Sequence, residues 1–179
     1  ANIIGGRWDG SSWLTFGAVN SSTNSFTTTS INAFGEFTGG DENCIGSLNT
    51  VINTKVLLQG AYVGGGNMRT SLRSFNLLPL SQPYNNSQFN YNGSESVGSI
   101  PAGVVDWVYL EVRATSDGGA VPNGRRAGFL KSDGSIVDLD GTSPVKIEGV
   151  ATGSYYVVVG HRNHLPVMTA NKVGINFSP

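Results

Sequence analysis

The chain has 179 residues, a formal net charge of −1 and 13% charged residues, against about 25% in an average soluble chain. A near-neutral balance provides no basic field to gather phosphates, which argues against nucleic-acid binding. A single cysteine, Cys44, rules out an internal disulfide framework, and no run approaches the roughly 18 apolar residues of a membrane helix.

The length suits one domain, or one domain with a partial second. The first residues, Ala1 to Arg7, lack the basic and apolar regions of a signal peptide. Either such a peptide has been removed or the chain is cut from something longer. Few lysines and abundant Ser, Thr, Asn and Gly read as a secreted, extracellular, cell-surface protein.

No segment sustains helical spacing of apolar residues over three turns, whereas Val, Ile, Thr, Phe and Tyr collect in short runs broken by Gly, Asn, Asp and Pro. In chain order, residues 7–17 carry Trp8, Trp13, Leu14 and Phe16 around an Asp9-Gly10 turn. Residues 19–25 form a polar turn, 26–31 alternate, and 33–38 place Phe34 and Phe37 before a glycine stop. Residues 41–54 have no clear period and read as a connector.

The second region starts at Lys55. Residues 56–62 predict a strand stopped by Gly64-Gly65-Gly66, and 68–80 a single helical turn ended by Pro79. Residues 81–99 read as a long polar loop. Residues 104–114 predict the strongest strand, with Val105, Trp107, Tyr109 and Glu111 on one face and Val104, Asp106, Val108, Leu110 and Val112 on the other. Residues 126–131 and 136–139 predict a hairpin across Ser132-Asp133-Gly134, and Asp140-Gly141 is a second turn that favours positive φ. Strands at 145–147, 154–162 and 173–177 complete the chain.

Strands every 8–12 residues or so with short connections indicate an all-β antiparallel sandwich, jelly-roll-like, with at most one short helix. The division is a β-arm or partial β-domain over 1–40, a connector over 41–54 and a β-sandwich module over 55–179. A two- or three-stranded arm is marginal alone in water. Its two Trp and four Phe therefore pack on the second region, belong to a domain whose other strands are missing, or pair with another copy through edge strands.

Several ordered motifs carry a family resemblance: Leu57-Leu58-Gln59-Gly60-Ala61-Tyr62, Gly66-Asn67-Met68-Arg69-Thr70-Ser71-Leu72-Arg73, and Val105-Asp106-Trp107-Val108-Tyr109-Leu110-Glu111. They continue as Asp133-Gly134-Ser135-Ile136-Val137-Asp138-Leu139-Asp140-Gly141, Gly153-Ser154-Tyr155-Tyr156-Val157 and His161-Arg162-Asn163-His164-Leu165. Over residues 56–170 the chain resembles a module near the C-terminal end of large secreted, surface-associated proteins of Bacteroidetes and Chlorobi-type bacteria. In that group dockerin-like calcium repeats often follow; this sequence has none. The resemblance implies location and architecture rather than mechanism. Residues 26–40 loosely resemble the closing strands of another β-domain in such proteins.

Candidate chemistry is sparse. His161 and His164 have a metal-compatible spacing only on a helix, and they follow a strand just before Pro166, so hydrogen bonding to loop backbone is the simpler reading. Asp133, Asp138 and Asp140 are calcium candidates, but the spacing is not that of an EF-hand and turn formation explains it more simply. No cofactor is therefore expected. Asp106, in an apolar strand, predicts an ion pair with Arg125, Arg126 or Arg162, because a buried carboxylate requires a partner. Glu111 lies on the opposite face, so the two do not form a glycosidase pair. The absence of a G-x-S-x-G elbow or phosphate loop points away from an enzyme.

Aromatic residues are the remaining candidates. Trp8, Trp13, Tyr84 and Tyr91, with Trp107 and Tyr62, could offer stacking surfaces to sugars, against a reading as core packing for Trp107 and stapling of the arm for Trp8 and Trp13. The sequence thus predicts a non-enzymatic structural or adhesive module that assembles with copies of itself or with neighbouring domains. The alternative is a carbohydrate-binding module whose Tyr84, Tyr91 and a Trp are exposed and coplanar.

Overall fold

The computed structural model describes residues 3–8, 13–20, 22–23, 25–27, 36–41, 49–151 and 153–175. The fold is all-β, antiparallel and sandwich-like, as expected from the strand-and-turn pattern. The chain divides into two compact units, Ala1–Leu48 and Asn49–Pro179.

The first unit contains strands β1 (Ile3–Trp8), β2 (Trp13–Ala18) and β3 (Glu36–Asp41), in the order β2-β1-β3. Trp8 lies opposite both Trp13 and Glu36 in register. The polar turn expected at 19–25 is closed by Asn20, whose side-chain oxygen accepts the backbone N–H of Ser22 at 3.0 Å. Phe26 stacks on Phe16 with ring centroids 5.7 Å apart. The predicted Asp9-Gly10 turn and Phe34 lie outside the described residues.

The second unit begins earlier than predicted. Asp41 ends β3, and Asn49–Ile52 form β4, so the expected connector over 41–54 contains strand at both ends; residues 42–48 lie outside the described residues. β4 pairs with β10 (Val145–Glu148). This strand escaped the sequence reading because its pairing partner is nearly 100 residues distant and its four residues carry no readable period.

A second correction concerns residues 56–62. Leu58 to Tyr62 turn back on themselves, with Ala61 and Tyr62 N–H donating to the Leu58 carbonyl. The strand starts only at β5 (Tyr62–Gly64), paired with β6 (Asn67–Met68). The Gly64-Gly65-Gly66 stop is the turn of this hairpin, with all three φ values positive. One short helix follows among the described residues, α1 (Ser71–Ser74), inside the predicted helical turn.

The main sheet runs β12 (His164–Met168), β11 (Gly153–His161), β7 (Val104–Arg113), β8 (Ala120–Lys131) and β9 (Ile136–Val137), with β13 (Val173–Ile175) also on β11. The predicted β8–β9 hairpin forms, with Leu130 opposite Ile136 and β9 limited to Ile136–Val137, and Gly134 at its turn has φ of +83°. β12 was not foreseen because Pro166 interrupts it. On a sheet edge the missing proline N–H deprives no partner strand.

β7 is buried over nine of its ten residues, so both faces of the sheet are covered. On one face Val105, Val108, Leu110 and Val112 pack with Leu130, Val157 and Val159 beneath Ile52, Val145, Ile147 and Val150. On the other, Val104, Trp107, Tyr109, Ala127 and Phe129 pack with Leu78, Tyr84 and Tyr91. Predicted alternation holds from Trp107 to Val112. A register shift between Val104 and Asp106 exchanges the faces of Val104 and Val105 relative to it.

The segment predicted as a long polar loop, 81–99, is therefore a covering layer. A Cβ at Gly128 would stand 2.7 Å from the Val137 carbonyl, so only glycine lets the neighbouring backbone lie this close to β8.

Candidate functional site

Tyr84 and Tyr91 are not a stacking platform. Tyr84 is fully buried and its hydroxyl donates to the Trp107 carbonyl at 2.7 Å. Tyr91 is buried with its hydroxyl on Glu95. The polar segment places its aromatic side chains inward because their rings cover the apolar side of β7, while Asn85, Asn86 and Gln88 remain exposed. Trp107 is likewise core, fully buried, with the indole N–H donating to Pro79 O at 2.8 Å. Tyr62 is exposed, and Trp8 is half-buried in β1. Trp13 occupies β2 opposite Trp8 in backbone register.

Burial raises the pKa of Tyr84, Tyr91 and Tyr109 above the ordinary tyrosine value, reinforced by the carboxylates Asp106, Glu95 and Glu111 respectively. A raised folded-state value means stability that is complete below pH 10 or so and is lost as pH climbs further. Ultraviolet titration is expected to show these three hydroxyls still protonated at about pH 11 and ionising only with unfolding. Reversible ionisation of all six tyrosines near pH 10 would contradict the burial.

Asp106 organises the most elaborate polar cluster. Asp106 follows the register shift at the start of β7, and its carboxylate, 2% exposed, meets residues at the end of β11. Of the three arginines expected as partners, Arg162 is the one used: its Nη2 lies 2.9 Å from both carboxylate oxygens. Arg126 instead pairs with Asp138 and Arg125 with Glu111. The Trp107 N–H donates to Asp106 Oδ1 at 2.8 Å, and His161 Nε2 lies 3.1 Å from Oδ2.

That last contact sets the imidazole tautomer. His161 donates from Nε2, which leaves Nδ1 as an acceptor for the Asn163 N–H at 3.2 Å. The same Nδ1 is 3.0 Å from His164 Nδ1. His161 bonds to loop backbone as the sequence suggests, and it also meets Asp106 and His164, contacts that no local pattern signals. His161 ends β11, as expected of a residue at the strand end, whereas His164 opens β12 rather than lying in a loop, and the two face each other in register across the turn. Together with Leu58, Ala61, Leu72, Ser71 and Arg69 they line a pocket of about 280 Å³.

A second, wider depression of about 850 Å³ is lined by Asn90, Asn92, Asn123, Arg125, Glu95 and Glu148, among others. Glu95 is buried. Its Oε1 accepts from Tyr91 and from the Ala127 N–H, while Oε2 has no hydrogen-bond partner among the described residues. On the neighbouring surface Glu111 receives Tyr109 Oη at 2.8 Å and pairs with Arg113 and Arg125, opposite in face to Asp106 as expected.

The calcium candidates serve turns. Asp133 accepts from the Ser135 hydroxyl and N–H, and Asp140 from Ser143 and Thr142; these hydrogen bonds hold both carboxyls down to about pKa 2. Asp138 is committed to Arg126 and to the N–H groups of Leu139 and Lys146. Among the described residues no group of three or more His, Cys, Asp or Glu is arranged to hold a metal ion. Also among them, no helix is long and apolar enough to cross a membrane.

Comparison with protein-family models, curated proteins and solved structures gives no match for this chain.

Proposed function

We propose that this chain is a non-enzymatic structural or adhesive module of a secreted, surface-associated bacterial protein, and that it assembles through its N-terminal strands. The observation that carries this reading is the three-stranded sheet of the first unit. Among the described residues β2 and β3 each pair only with β1, and the outer edge of such a strand is the kind of surface on which an incoming strand pairs. The low charge of the chain adds little electrostatic resistance to association. The outer strand β12 of the second unit also bears Leu165, 90% exposed, beside exposed Val167 and Met168. The resemblance of residues 56–170 to a module of large surface proteins agrees with such a role.

Light scattering and negative-stain imaging of the purified chain at rising concentration test the proposal. Ordered oligomers or filaments are expected, and the double substitution Trp8→Ala, Trp13→Ala is expected to abolish them while β7 to β11 keep their hydrogen-exchange protection. A monomer at every concentration overturns the assembly reading. The second reading, glycan binding, then rests on the amide-rich depression around Asn90, Asn92 and Asn123 rather than on Tyr84 and Tyr91. Side-chain amide shifts on adding oligosaccharides would reveal it.

A further inference from the structure

We propose that the β11–β12 turn is a two-histidine binding site for a divalent late first-row cation, Cu²⁺ above all, with His161 Nδ1 and His164 Nδ1 as the protein ligands. Three observations converge on it. The two Nδ1 atoms face each other at 3.0 Å. Two nitrogens on one metal, each at about 2.0–2.1 Å and separated by an angle between square and tetrahedral, stand roughly 2.9–3.4 Å apart. The turn therefore holds the two nitrogens at the separation that ligands of one metal require.

The second observation is the support behind His161. Histidine ligands characteristically donate their other ring N–H to a carboxylate, which fixes the tautomer and raises the basicity of the coordinating nitrogen. Asp106, 2% exposed, fills that place on Nε2, and Arg162 in turn holds Asp106 through both oxygens. Nδ1 of His161 is thus committed to its lone pair by residues outside the turn. The third observation is access. Both histidines and Asn163 line the pocket of about 280 Å³, so solvent can complete the coordination sphere.

Binding exchanges two hydrogen bonds on His161 Nδ1, from Asn163 N–H and from His164, for one metal bond. Neutral His164 moves its proton from Nδ1 to Nε2, so no net proton is released. With only two protein ligands and water in the remaining positions, imidazole-preferring metals at the top of the stability order are selected, and calcium is not.

The test uses untagged full-length chain titrated with Cu²⁺ near neutral pH, followed by pulsed electron paramagnetic resonance. Modulation from two imidazole nitrogens at about one copper per chain is expected. His164→Gln, at the half-buried first residue of the edge strand β12, is expected to leave the circular dichroism unchanged, to remove one imidazole and to weaken binding by at least about tenfold, since losing even an outer-shell partner costs ~10–100-fold. No binding, spectra without two imidazoles, or equal affinity in His164→Gln each overturns the site.

Discussion

Replacing Asp106 by alanine is expected to destabilise the second unit by about 3–5 kcal/mol, the cost of breaking a buried ion pair by removing one member. The carboxylate is 2% exposed and satisfies groups from three directions: Arg162, the His161 Nε2–H and the Trp107 N–H. Alanine leaves the buried His161 and the Trp107 amide without acceptors, while Arg162, 27% exposed at its side chain, recovers some hydration. Against a typical total of about 5–15 kcal/mol, that loss brings the unit near its folding threshold. Urea unfolding followed by amide exchange along β7 and β11 measures it. Asp106→Asn keeps an acceptor and loses the charge, so a smaller loss is expected. A change below about 1 kcal/mol in Asp106→Ala would show that the cluster is not a structural tie.

Trp107→Ala is expected to cost about 3–5 kcal/mol as well, by a different route. Trp107 is fully buried, its ring centroid lies 4.2 Å from that of Phe129, and its indole N–H holds Pro79 O. Truncation empties the centre of the core between the sheet and the 77–100 segment, which no strand pairing holds in place beyond the Ser81–Ser96 bridge. Hydrogen exchange should therefore rise first in that segment. Trp107→Phe retains most of the apolar burial and loses the N–H bond, and about 1 kcal/mol of its deficit is attributable to that bond. Destabilisation of Trp107→Ala without faster exchange over 77–100 would refute the covering role of this segment.

These two residues show how unequally the sequence speaks. The all-β class, the β7 strand and the β8–β9 hairpin were legible because strand period and Asp-Gly turns are local signals, readable within a dozen residues. The positive φ of Gly134 and Gly141 follows from the same local chemistry. Asp106 was legible as a residue in need of a partner, because a carboxylate inside a run of Val, Trp and Leu cannot be left unpaired. Which arginine answers it was not, since Arg125, Arg126 and Arg162 are equally suited chemically and only the packing of β11 on β7 selects Arg162.

Tertiary structure alone decided the rest. Tyr84 and Tyr91 belong to a segment of polar composition, and composition averages over the two sides of a loop. Their rings are buried because β7 is apolar on both faces and something must cover the second. β4 became a strand only through β10, and β12 tolerates Pro166 only because it lies on an edge. The bulge near Val105 inverts a face assignment that strict alternation predicts. The pairing of His161 with His164 likewise exists because the β11–β12 register, shifted between Val159 and His161, sets the two residues opposite each other beside Asp106. The sequence by itself determined the local alphabet of strands and turns. Which faces are covered, and which polar side chains meet, is set by contacts between residues far apart in the chain, whose energies no local pattern encodes.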